Sequence, residues 1–196
     1  MKIEIPKSSI EVLKELQFQP IKTAVRQSIA VVDEAMKGNR DLFISKWPRL
    51  NRNLLGGFQP GKLYIIGGRP GTGKSAFSNQ LIFDLLDNAQ LQDRKVVVFY
   101  WSFEMPGYQQ LLRTAAKDTK KNMMQLYSVD DTLDKKSFEL FKKSVTKYVR
   151  YPVYFQSKPR DAKYIEDACT KYHLSSPETT IINIVDHSRL VPGEED

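Results

Sequence analysis

Residues 68–75 read G-R-P-G-T-G-K-S and match the pattern G-x-x-x-x-G-K-[ST]. Glycines permit a backbone with positive φ and leave room for successive N–H groups to point at one spot. In such a loop Lys74 reaches the β- and γ-phosphates of a nucleotide, and the Ser75 hydroxyl is one Mg²⁺ ligand. The pattern predicts a phosphate-binding site made of Gly68, Arg69, Pro70, Gly71, Thr72, Gly73, Lys74, Ser75 and Ala76.

The residues on either side of this loop also fit a phosphate-binding site. Residues 63–66 are a short apolar run, which predicts a buried strand, and the apolar spacing after Ser75 predicts a helix. A strand before the loop and a helix after it would direct the positive end of the helix dipole at the phosphates. A surface turn rich in Gly and Pro is the alternative, and both flanks argue against it.

Composition is that of an ordinary globular protein. The chain has 196 residues, a formal net charge of +7 and a single cysteine, Cys169, so an intrachain disulfide is impossible. Its apolar runs are shorter than the roughly 20 residues of a membrane span. These features predict a cytoplasmic protein that does not associate with membranes, and the charge is compatible with a polyanionic partner.

Apolar and polar segments alternate along the chain in a regular order. This order predicts an α/β fold with a mostly parallel sheet covered by helices on both faces, preceded by a short N-terminal helical extension. The predicted domains are 1–45, a lead-in with an amphipathic helix at 21–37, and 46–196, the core. The predicted strands are 63–66, 96–101, 153–155 and 181–185, and the predicted core helices are 74–89, 106–118, 133–149 and 160–173.

The predicted helix at 21–37 precedes the core and carries an apolar stripe. The stripe includes Val25, Ile29 and Val32. It needs a partner, which is either the core of the same chain or another subunit, and the sequence leaves both open.

Two acidic residues follow predicted strands, where ligands of such sheets gather. Asp186 comes directly after the strand at 181–185, which favours a second Mg²⁺ ligand beside Ser75 over a carboxylate that caps a turn. Glu104 follows the strand at 96–101. If that strand lies beside the loop strand, Glu104 points at the γ-phosphate and can act as a general base on water. The alternative role for Glu104 is to stabilise the N-terminus of the next helix, and both roles can hold at once.

Three segments together are similar to one known family. They are L-L-G-G-F-Q-P-G-K-L-Y-I-I-G-G-R-P-G-T-G-K-S-A-F, W-S-F-E-M and I-V-D-H-S-R-L. Their order and spacing resemble the RecA-like ATPase domain of DnaB-type hexameric replicative helicases, over roughly residues 46–191. The resemblance implies a RecA-like P-loop fold.

The resemblance also implies a function. It implies a motor that hydrolyses ATP with Mg²⁺ and translocates on single-stranded DNA, separating the duplex ahead of it. Lys74 and Glu104 would be catalytic, with Glu104 the base, and Ser75 and the Walker B acid Asp186 would hold Mg²⁺. The helix at 21–37 would be the linker that closes a homo-hexameric ring, with an arginine finger supplied by the neighbouring subunit. A primase or a helicase loader are the further partners that it suggests.

The sequence also departs from the family pattern. Where the family commonly has Asp-Tyr-Leu-Gln-Leu, residues 186–190 read Asp-His-Ser-Arg-Leu. The family's N-terminal helical domain has no counterpart here beyond a short lead-in. The chain stops at Asp196, so we expect a truncated product rather than a natural short form, with little hydrolysis by itself.

Three hypotheses about function therefore remain at the level of the sequence. The first is the helicase motor. The second is a recombinase-like or clock-type ATPase on the same fold, and the third is an ATP-bound assembly module that docks on a helicase ring without hydrolysing ATP.

Overall fold

The computed structural model describes residues 7–128, 130, 133–187 and 191–192. Contacts within the chain group it into two units, Met1–Leu42 and Phe43–Asp196. The predicted domain boundary after residue 45 stays a prediction. Residues 188–190 of the family motif and residues 193–196 of the predicted truncated end lie outside the described residues.

Within its described residues, from 7 onward, the first unit contains the helices α1 (Lys7–Glu15) and α2 (Ile21–Met36). The predicted helix at 21–37 is confirmed as α2. It begins after Pro20, and it ends before Gly38, which has a φ of 74° that disfavours other residues. The apolar stripe of α2 is exposed, with Val25 at 52% and Val32 at 59%.

The second unit alternates helices with the strands of a parallel sheet. Its elements are α3 (Pro48–Asn53), α4 (Lys74–Leu91), β1 (Val96–Ser102), α5 (Gly107–Thr119), α6 (Met123–Tyr127), α7 (Lys135–Thr146), β2 (Val153–Gln156), α8 (Ala162–Ser175) and β3 (Thr180–Asp186), with a 3-10 turn at Lys147–Arg150. The strands lie in the order β2-β1-β3. The predicted strands at 96–101, 153–155 and 181–185 and all four predicted core helices are confirmed, whereas the short helices α3 and α6 were not predicted.

Helices cover both faces of the sheet, as predicted, because successive residues of β1 point to opposite sides. On one side Val98 and Tyr100 belong to a buried core with the apolar face of α4. On the other side Phe99 and Trp101 make edge-to-face ring contacts with Tyr172 and Tyr164 of α8. Full burial of a side chain such as Val98 contributes about 1.5–3 kcal/mol. An edge-to-face ring pair contributes about 0.5–1.5 kcal/mol, so both kinds of contact hold helices against the central strand.

The predicted strand at 63–66 is wrong. Residues 62–69 have no regular secondary structure, and Leu63 and Ile65 are each 86% exposed. A strand forms where its backbone completes a ladder of hydrogen bonds with a neighbour, and residues 63–66 pair with none of β1, β2 and β3. Tyr64 instead makes a local contact with Phe58, and its hydroxyl accepts a hydrogen bond from the Gln59 N–H at 2.8 Å.

Polar side chains of α4 brace the helix that follows the glycine-rich loop. Asp84 is fully buried and accepts hydrogen bonds from the Lys46 N–H at 3.1 Å and from the Gln80 amide at 2.7 Å. One turn further along the helix, Asn88 accepts a hydrogen bond from the Ile44 N–H at 2.9 Å. These bonds tie the start of the second unit to α4 and so fix the helix that carries the loop.

Candidate nucleotide-binding site

The glycine-rich loop at residues 68–73 leads directly into α4. Gly71 and Gly73 have φ angles of 78° and 91°, so both occupy the left-handed region that glycine tolerates best. Gly73 is the residue before the helix and has no side chain with which to cap the first turn. The N–H groups of that turn therefore face out of the helix end without a side-chain acceptor from Gly73, as an anion site requires.

Hydrogen bonds within the loop give it a closed shape. The Thr72 hydroxyl donates to the Arg69 carbonyl at 2.8 Å. The Lys74 ammonium donates to the carbonyls of Gly68 and Arg69 at 3.0 and 3.2 Å, so it lies across the loop. A Cβ at Gly68 would lie 2.7 Å from the Thr72 hydroxyl oxygen, which is too close. The loop is thus a tight turn with a cation across it, and this shape fits a phosphate group.

The ends of β1 and β3 bring a second set of polar groups together. Ser102 pairs with Asp186 in register, and the Phe103 N–H donates to the Asp186 carbonyl at 2.9 Å. Asp186 is buried, at 7% exposed, and its carboxylate accepts a hydrogen bond from the Tyr100 hydroxyl at 3.4 Å. Burial and the negative charge of Asp186 raise the pKa of Tyr100 well above its usual range, so the hydroxyl stays a neutral donor.

Glu104 lies in the turn after β1, and its side chain is 57% exposed. The sequence pointed Glu104 at the γ-phosphate on the condition that its strand lies beside the predicted strand at 63–66. This condition is not met, because the neighbours of β1 are β2 and β3. The structure instead places the Glu104 turn beside the end of β3. There the His187 imidazole approaches the Glu104 carboxylate, with Nε2 and Oε2 4.0 Å apart.

The proximity of His187 to Glu104 was not predicted from the sequence. A signal was present, since His187 directly follows Asp186 at the end of a strand. Carboxyl ends of neighbouring parallel strands meet at one edge of a sheet.

A row of buried polar side chains connects α4 to the end of β1. The Asn79 amide donates to the Gln110 carbonyl oxygen at 2.7 Å, and the Gln110 amide donates to the Ser102 hydroxyl oxygen at 3.2 Å. Asn79, Gln110 and Ser102 are 6%, 1% and 1% exposed. Asn79 lies four residues after Ser75 in the same helix, so the two share a face of α4. The row thus joins the helix of the loop to the strand end that precedes Glu104.

Among the residues that the structure describes, no group of three or more His, Cys, Asp and Glu side chains could hold a metal ion. Mg²⁺ does not need such a cage, because it is usually held by one or two protein oxygens together with substrate phosphates and water. The Ser75 hydroxyl and the buried Asp186 carboxylate are oxygen ligands of the type that Mg²⁺ prefers.

Residues 44–196 match the family model described as the DnaB-like helicase C terminal domain. The chain belongs to this family. The predicted resemblance is confirmed, and membership implies the use of a nucleotide with Mg²⁺. The matched residues extend the predicted span, 46–191, by a few residues at each end.

Individual relatives include helicases and DNA-repair proteins. The DNA repair protein RadA of Synechocystis is 37% identical over 93 residues, which are 47% of this chain and 17% of RadA. The replicative DNA helicase DnaB of Buchnera aphidicola is 32% identical over 107 residues, which are 49% of this chain and 22% of DnaB. The matched part is therefore about a fifth of each relative's length.

Solved structures of helicases share the fold. A DnaB-like replicative helicase, whose structure was described with its interactions with primase, matches 87% of this chain and 40% of its own, with a TM-score of 0.69 and 16% identity. This likeness confirms the predicted RecA-like P-loop ATPase fold. In the described part of the chain, no helix is both long and apolar enough to cross a membrane.

Proposed function

We propose that this chain is part of the motor of an ATP-driven replicative DNA helicase, which hydrolyses ATP to move along single-stranded DNA and separate the duplex. The observation that carries the proposal is the loop at residues 68–73. Its carbonyls at Gly68 and Arg69 accept hydrogen bonds from the Lys74 ammonium, and α4 begins directly after it. Membership of a helicase family supports the proposal that ATP hydrolysis is coupled to movement on DNA.

ATP is held by the loop. The N–H groups of the loop and of the first turn of α4, at Ser75 and Ala76, point towards the phosphates, and the helix dipole favours their negative charge. Lys74 exchanges its carbonyl partners on Gly68 and Arg69 for oxygens of the β- and γ-phosphates. Ser75 and Asp186 hold Mg²⁺, which neutralises charge on the phosphates when bound.

Hydrolysis depends on Glu104. Its carboxylate accepts a proton from water as the water oxygen attacks the γ-phosphorus and the bond to the β-phosphate breaks. The exposure of Glu104 leaves it accessible to such a water. Glu104 lies three residues before the start of α5, where a negative charge can also stabilise that helix end, so the two roles are compatible.

The motor assembles as a homo-hexameric ring through α2, with the arginine finger of a neighbouring subunit completing each site. The exposed stripe of α2 supports this role, because apolar side chains on one helix face need a partner surface. A primase or a helicase loader is a further partner of the assembled ring.

Replacing both Val25 and Val32 by Asp should break the ring into smaller species. Two unpaired charges in an apolar contact are costly, whereas the residues of the core are unchanged. Light scattering measures the mass of the natural gene product, and replacing the exposed, uncharged Gln27 and Ala30 on the other side of the same helix by Asp is the matched control for added charge. A ring that survives the Val25 and Val32 substitutions would show that α2 does not hold the subunits together.

A DNA-repair ATPase is the second candidate function, because the RadA of Synechocystis is as similar in sequence as the helicases are. Steady-state ATP turnover and strand separation by the natural gene product distinguish the candidates. We expect turnover that single-stranded DNA stimulates several-fold, together with ATP-dependent separation of a forked duplex. Stimulated turnover without strand separation would favour a repair ATPase, and ATP binding without turnover would favour an assembly module.

A further inference from the structure

The buried polar row Asn79–Gln110–Ser102 ends at the turn that carries Glu104. The Ser102 hydroxyl, which accepts from Gln110, donates in turn to the Met105 carbonyl. This bond closes residues 102–105 into a turn, and Glu104 is inside it. Since the Glu104 side chain is more than half exposed, its position is set by the backbone of this turn.

The row consists of three polar side chains that are buried in the interior, where apolar side chains are the rule. Burying an amide costs free energy unless its donor and acceptor groups both form hydrogen bonds. Apolar residues of the same size would fill this space without that desolvation cost. Both ends of the Gln110 amide are used, one towards α4 and one towards β1. Hydrogen bonds have a direction and a length, so this row fixes the two elements relative to one another more closely than apolar packing would.

Each end of the row is attached to part of the proposed active site. Asn79 lies one turn beyond Ser75 in α4, whose first residue is Lys74. Ser102 lies opposite Asp186 in the sheet and two residues before Glu104. Gln110 itself belongs to α5, the helix that follows the Glu104 turn. The row therefore connects the phosphate-binding helix with the turn of the carboxylate.

We propose that Gln110 is a positioning residue for ATP hydrolysis. Through Asn79 and Ser102 it holds the Glu104 turn at a fixed distance from the phosphate loop, so that the carboxylate meets the water and the γ-phosphate together. This inference rests on the proposed role of Glu104. Gln110 makes no contact with ATP in this arrangement. Removing its amide therefore leaves nucleotide binding intact and lowers only the rate of the chemical step.

Replacing Gln110 by Met keeps the length of the side chain and removes both hydrogen bonds. We expect kcat for ATP in the natural gene product to fall by about 10–100-fold, because small errors in the position of a catalytic group are costly. The KM and the affinity for ATP should stay within about two-fold, as expected for an interaction that matters only in the transition state. Gln109→Met is the control, since this neighbouring amide donates to Tyr108 and not to the row.

A double-mutant cycle with Glu104→Gln tests the coupling. If Gln110 acts through Glu104, adding Gln110→Met to Glu104→Gln should lower kcat no further. Ser102→Ala, which removes the hydroxyl that closes the turn, should reproduce the effect of Gln110→Met. Thermal unfolding of each variant shows whether it remains folded, and Ser102→Ala carries the test if Gln110→Met does not fold.

The outcomes separate this inference from the proposed function. If Glu104→Gln lowers kcat but Gln110→Met leaves kcat unchanged, acts mainly by raising KM, or lowers kcat further in the double mutant, the positioning role is wrong and the proposed base remains. If Glu104→Gln leaves kcat unchanged, the proposed base is wrong, and the positioning role is overturned with it.

Discussion

Replacing Lys74 by Ala should weaken the binding of ATP by about 10²–10⁴-fold. The Lys74 ammonium lies across the loop, 3.0 and 3.2 Å from two of its carbonyl oxygens, and phosphate oxygens would take its hydrogen bonds in the complex. A hydrogen bond that involves a charged group contributes about 1.5–3 kcal/mol, and two such bonds correspond to the expected loss. Isothermal titration calorimetry with ATP and Mg²⁺ measures it.

The same substitution should leave the fold intact. Lys74 is the first residue of α4, where Ala is well tolerated, and its ammonium donates to carbonyls of its own loop, at Gly68 and Arg69. Lys62→Ala is the matched control, since it removes an exposed lysine before the loop and should not change ATP affinity. An unchanged affinity in Lys74→Ala would overturn the assignment of the phosphate loop.

Helices and central strands could be predicted from the sequence because their own residues carry the signal. The apolar residues of α4 recur on one face, and β1 and β3 are apolar runs long enough to be buried strands. The positive φ angles of Gly71 and Gly73 follow from the loop motif in the same way. In each case the sequence pattern and the structure depend on the same neighbouring residues.

The features that were predicted wrongly or missed depend on contacts between segments that are distant in the sequence. Residues 63–66 have the composition of a strand, but composition does not say which backbone will complete a ladder. The place of β1 between β2 and β3 likewise depends on the whole sheet. The row through Gln110 was missed because its hydrogen bonds join residues that are 8 and 31 positions apart, with no motif to connect them.

We infer that the phosphate loop and Glu104 form one site that hydrolyses ATP. Glu104→Gln tests it, because the amide keeps the size of the side chain and cannot accept a proton. A general base contributes about 10²–10⁴-fold to the rate. Glu139→Gln is the matched control, since it changes an exposed glutamate of α7 that pairs with Lys142 and should leave turnover unchanged.

The most direct measurement is the turnover of saturating ATP by the natural gene product and its Glu104→Gln variant, in the presence of single-stranded DNA and Mg²⁺. We predict that the variant binds ATP as tightly as the parent and that its turnover falls by about 10²–10⁴-fold. If turnover barely changes while stability falls by under about 1 kcal/mol, Glu104 serves only the N-terminus of α5, and the account of the active site is wrong.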